Sequence, residues 1–131
     1  MNHVNPQADR STVFGMHQSR NEATRGASAH YGPHRNRVMQ LLGQAAVSEP
    51  LLGGQISSFY ESEPALAGGL AVLGAGNCND LDLPTLQALF SHVTLIDLDA
   101  AACQLAVSRQ LGCPPHNRIC VAPSTDVSGL V

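Results

Sequence analysis

Residues 1–30 show no sustained hydrophobic period and are rich in Asn, Ser, Arg and Gly, the pattern of a disordered or loosely attached tail. From Pro33 the rhythm changes. In PHRNRVMQLLGQAAV the apolar Val38, Leu41, Leu42 and Ala45 recur at helical spacing, with Pro33 suited to a first turn and Arg35 and Arg37 on the wet side. Residues 48–69 are punctuated by Pro50, Gly53, Gly54, Pro64, Gly68 and Gly69. Within them, residues 56–60 fit a strand or a short helix equally well.

After Gly69, short apolar runs alternate with helical patterns. Residues 70–73 (LAVL) predict a strand, and Pro84 opens a helix through residue 90 with Leu83, Leu86, Leu89 and Phe90 in register. Residues 93–98 (VTLIDL) predict a second strand. Asp99 then suits the N-cap of a helix over 100–111, stopped by Gly112 and Pro114-Pro115. Residues 118–122 (RICVA) predict a third strand. The order β-α-β-α-β implies an α/β fold with a parallel sheet and right-handed crossovers. Strands this apolar fit burial on both faces.

Composition narrows the picture. A chain of 131 residues builds one domain with a modest core. All 7 basic residues are Arg, so phosphate loops that need a Lys are excluded. The net charge of −3 is unevenly spread. Residues 1–49 carry Arg10, Arg20, Arg25, Arg35 and Arg37 against Asp9, Glu22 and Glu49, whereas the remainder sets Arg109 and Arg118 against seven acids. Neither part has the dense basic patch of a nucleic-acid binder. The 4 cysteines show no C-x-x-C spacing and no signal-peptide core precedes them, so a secreted disulfide scaffold is not expected. The 6 histidines form no H-x-x-x-H pair, so no local metal site is expected. No apolar run approaches the ~18–20 residues that span a bilayer. A reduced, cytoplasmic setting is the expectation.

The candidate chemistry lies in GAGNCND, residues 74–80, where the first strand ends. Glycines at 74 and 76 let a ligand approach the backbone, at the strand edge where parallel α/β sheets bind ligands. The second strand runs into Asp97, 23 residues after Gly74, where a carboxylate can accept both hydroxyls of a ribose. A dinucleotide fingerprint needs a third glycine at 79, but the chain has Asn79. Asp80 and Asp82 would repel a pyrophosphate and tolerate a cofactor carrying an amino group and a sulfonium charge. Both features favour S-adenosylmethionine over NAD or FAD. Cys78 has no identifiable base beside it and is not read as a nucleophile.

LAVLGAGNCNDLDLPTL followed by VTLIDLDAAA resembles the first two motifs of the class I, Rossmann-like S-adenosylmethionine-dependent methyltransferases. More narrowly, it resembles a bacterial branch with GAGNxND at its first motif, and YGPHRNRVMQLL, residues 31–42, is similar to that branch's leading helix. The resemblance implies a partial Rossmann-like sheet in the order 3-2-1. It implies that Gly74, Ala75 and Gly76 lie against the methionine portion, with Asn77 near its amino and carboxylate groups. Asp97 would bind the ribose and Leu98 would flank the adenine, while Asp126 matches an adenine-contacting acid more loosely. Two positions depart from the family pattern: Val72 replaces an acid and Cys78 replaces the third glycine of GxGxG.

The resemblance covers residues 31–131, and a family member continues for about as long again. The expectation is therefore a tail over 1–30 and, over 31–131, the N-terminal half of a methyltransferase-like domain. Strand one would be an open apolar edge, suited to self-association or a partner chain. No residue present selects the methyl acceptor. Two other functions stay open: a catalytically inactive association module and a nicotinamide-type Rossmann half-domain.

Overall fold

The computed structural model describes residues 6–48 and 66–127. Its elements are α1 (Pro6–Thr24), a 3-10 turn (Ser28–Tyr31), α2 (Gly32–Ser48), β1 (Ala67–Leu73), α3 (Leu83–Leu89), β2 (Phe90–Ile96), α4 (Ala100–Leu111) and β3 (Ile119–Val121). Residues 56–60 lie outside the described residues. The three strands form one parallel sheet in the order β1-β2-β3, with Leu70 beside Val93, Val72 beside Leu95, and Val93 beside Ile119. The fold is α/β, as the alternation of strand and helix patterns requires, and among the described residues β1 is an edge.

Side chains alternate across a strand, so Leu70, Val72, Val93, Leu95, Ile119 and Val121 share one face of the sheet. That face is the core. Val93 and Leu95 are fully buried there with Leu83 and Leu86 of α3 and Cys103 and Ala106 of α4, while Val38, Met39 and Leu42 of α2 pack at its margin. Burying each large aliphatic side chain contributes about 1.5–3 kcal/mol. The other face carries Ala71, Leu73, His92 and Cys120, all exposed, with Thr94 and Ile96 half-buried. Burial on both faces is thus corrected to burial on one: α2, α3 and α4 contribute to a single core, and the described residues leave the opposite face uncovered.

The helix starts follow local chemistry. Asp99 Oδ1 accepts the N–H of Ala102 at 3.3 Å, capping α4, and Gly112 ends that helix at φ +79°. Asp82 caps α3 by accepting the N–H of Thr85 at 3.1 Å, with Pro84 in the first turn. The second strand begins at Phe90, earlier than the apolar run suggests, because α3 passes directly into it.

Residues 6–24, within the stretch that reads as a tail, form the helix α1. None of residues 11–24 is fully buried, and none belongs to the core. A helix held without an apolar stripe leaves no period in the sequence. Its attachment is polar and belongs to the site.

Candidate functional site

The carboxyl ends of β1 and β2 meet in one hydrogen-bonded unit. Gly74 and Ala75 both donate their backbone N–H to Ile96 O, at 2.8 and 3.2 Å. The next amide, Gly76 N–H, donates to Asp97 Oδ2 at 2.9 Å, and Asp97 Oδ1 accepts the N–H of Asp99 at 2.8 Å. The buried Asp97 carboxylate therefore links the glycine turn to the N-cap of α4. Three residues of the turn have positive φ: Gly74 at +71°, Gly76 at +52° and Cys78 at +53°. Cys78 thus takes the backbone shape that a glycine adopts most readily, at the third glycine position of a GxGxG turn.

The turn is then tied down by side chains from three helices. From α4, the Gln110 amide accepts the N–H of Leu83 at 2.8 Å and donates to Cys78 O and Leu81 O, both at 3.1 Å. Arg109 donates to Asn77 O at 2.9 Å and Arg25 O at 3.3 Å. From α2, Arg35 donates to Asn79 O at 3.0 Å and Ser28 O at 2.9 Å. Backbone carbonyls that the irregular turn leaves without a ladder partner are satisfied in this way.

The third helix is α1, whose last turn lies against Gly76. Asn77 Nδ2 donates to Asn21 O at 2.6 Å and to Thr24 Oγ1 at 3.0 Å, and Asn79 Nδ2 donates to Thr24 O at 2.8 Å. Asn21 O and Thr24 O are both carbonyls of the helix's last turn, and Thr24 O also accepts the N–H of Ala27 at 3.0 Å. The Asn21 side chain reaches further, donating from Nδ2 to Asp99 Oδ2 at 3.1 Å. Its Oδ1 lies 3.1 Å from where a Cβ on Gly76 would stand, while the space beside Gly74 is open to 4 Å.

Among the residues singled out by sequence, Gly74, Gly76, Asn77 and Asp97 are brought together here. Ala75 is buried among core residues. Leu98 is half-buried between Asp97 and Asp99. Asp126, also half-buried, follows Thr125, whose N–H donates to Asp97 O at 3.0 Å. Sequence reasoning missed Asn21, Thr24, Arg35, Arg109 and Gln110 as parts of this site. The turn's many irregular carbonyls were the signal that such donors had to exist.

Cys78 is buried beside Cys103, and its thiol is pushed well above the ordinary value by a hydrogen bond with Cys103, then by burial and by the charges of Cys103 and Asp80. It stays protonated, which leaves it inert as a nucleophile. Cys78 and Cys103 are buried thiols, while Cys113 and Cys120 are exposed ones. Among the described residues, no group of three or more His, Cys, Asp or Glu side chains is placed to hold a metal ion, and no helix is long and apolar enough to cross a membrane. Two open clefts lie away from the glycines, one between α3 and residues 115–118, the other along α4 and β3. Comparison with known proteins found no matching family profile, curated protein or solved structure.

Proposed function

We propose that the glycine turn and Asp97 form a cofactor site for S-adenosylmethionine, and that the chain is a methyltransferase-like cofactor-binding module. The observation that carries this reading is the bond from Gly76 N–H to Asp97 Oδ2. It makes the turn and the acid one unit at the carboxyl edge of a parallel sheet, where ligands of such sheets bind. A carboxylate offers about four acceptor positions. Two are taken by backbone amides, which leaves capacity for ribose hydroxyls. Gly74, with open space beside it, suits close approach of a methionine portion to the backbone.

The choice of cofactor is supported by the fate of the amides. A dinucleotide needs turn N–H groups aimed at its pyrophosphate. In this turn the amides of Gly74, Ala75, Gly76 and Cys78 are spent on Ile96 O, Asp97 and Ala75 O. Asp80 and Asp82 add negative charge nearby. A cofactor without phosphates and with a positive sulfonium fits this environment better. When bound, it would supply an electrophilic methyl group, and the chain's own residues would hold and orient it.

Titration calorimetry with S-adenosylhomocysteine and with NADH tests the reading. Saturable binding of the first alone is expected. Binding of NADH alone would replace the reading with the nicotinamide one, and silence to both would favour an association module. That second reading draws on one specific observation, the strand β1 with Leu73 65% exposed, at the edge of a sheet whose one face the described residues leave uncovered. A second copy meeting that edge would give a dimer by sedimentation velocity.

A further inference from the structure

The last turn of α1 occupies the space that a cofactor at this site would use. Three observations converge. The Asn21 carboxamide lies against Gly76, the position where absence of a side chain permits close approach, and bonds Asp99 beside the Asp97 carboxylate. The Asn77 amide, expected to face the cofactor's amino and carboxylate groups, has its donor nitrogen committed to Asn21 O and Thr24 Oγ1. The helix that makes these contacts has no fully buried residue between 11 and 24 and sends none into the core, so it is held by polar contacts rather than by buried apolar area. Residues 25–27, where Gly26 has open space around it, join it to the 3-10 turn Ser28–Tyr31 that precedes α2.

We propose that α1 is an autoinhibitory latch: Asn21 and Thr24 seat it on the glycine turn, and the nucleoside-containing cofactor enters only when the latch lifts. This rests on the cofactor reading given above. The occupied site and the competent site are then two states of one equilibrium, and apparent affinity falls by the fraction of molecules that are unlatched. Anything that weakens the seat without touching the cofactor contacts raises apparent affinity. Thr24 is the better probe of this kind, because its hydroxyl bonds Asn77, whereas the Asn21 side chain lies against Gly76 and bonds Asp99.

The experiment compares the full chain with Asn21→Ala and Thr24→Ala, titrating each with S-adenosylhomocysteine. Far-ultraviolet circular dichroism confirms that the α/β core remains folded. Loss of a hydrogen bond to a charged partner predicts about tenfold tighter binding for Asn21→Ala, and loss of a neutral one about threefold for Thr24→Ala. Hydrogen exchange of the unaltered protein supplies the second readout: on adding ligand, amides of residues 11–24 should exchange faster while those of residues 74–80 slow. Affinity that is unchanged or weaker in both variants overturns the latch, as does protection of α1 by ligand, which would make the helix a closing cover instead. Absence of binding in all three proteins overturns the cofactor reading itself, and the latch falls with it.

Discussion

Asp97→Asn is the sharpest test of how the site is built. The carboxylate is buried and accepts two backbone N–H groups, from Gly76 at 2.9 Å and Asp99 at 2.8 Å. A hydrogen bond to a charged group contributes about 1.5–3 kcal/mol, and a buried donor left unsatisfied costs about 1–3 kcal/mol. Asparagine keeps the shape but has one oxygen and one NH2. In either orientation the NH2 opposes a backbone N–H, so one bond is lost outright and the other becomes neutral. The expected destabilisation is about 2–4 kcal/mol. In urea, where the slope for a small protein is about 1–3 kcal/mol/M, the unfolding midpoint should drop by about 1–3 M at an unchanged slope. A loss below about 0.5 kcal/mol would refute the claim that Asp97 holds the glycine turn and the start of α4 together.

Gln110→Ala removes three bonds to the backbone of residues 78–83 and should cost about 2–4 kcal/mol, read as a fall in melting temperature of about 10 °C or more. Because the buried Cys78 thiol resists ionisation, only the unfolded chain releases that proton as pH climbs past the ordinary value of 9.0. The contribution of this group to stability is therefore nil well below pH 9 and increasingly unfavourable above it, by up to about 1.4 kcal/mol per pH unit. Urea titrations at pH 8 and pH 10 should show the unaltered protein losing more stability than Cys78→Ala. A thiol reagent should modify Cys113 and Cys120 rapidly in the native protein, and Cys78 and Cys103 only on unfolding. Equal rates at all four, read by peptide mass spectrometry, would contradict the burial.

Local signals carried most of the fold. The α4 limits follow from Asp99 at the N-cap and Gly112 at the stop, both readable one residue at a time. The three strands follow from short apolar runs, and their parallel order from the intervening helices. Covered faces are a different matter: LAVL and VTLI have the same composition whether one side or both are buried. The helix α1 escaped because its anchors, Asn21 and Thr24, pair with residues 53 to 78 positions away through polar atoms that mark no period. For the site, Gly74, Gly76 and Asp97 were legible because a turn and a strand end constrain them. Arg35, Arg109 and Gln110 look like ordinary helix-surface residues until the carbonyls of residues 77–81 are counted and found to need donors.

The polar seat of α1 also has a calorimetric consequence. Unfolding the core exposes apolar surface and raises heat capacity by about 12–15 cal/mol/K per residue. Lifting α1 exposes little such surface, since none of residues 11–24 is fully buried. Its detachment should be nearly silent in heat capacity, so its free energy changes almost linearly with temperature, without the domed stability curve of the core. Cooling would tighten the seat while the core's hydrophobic stabilisation weakens. Temperature is then a dial that moves the helix and the sheet in opposite directions.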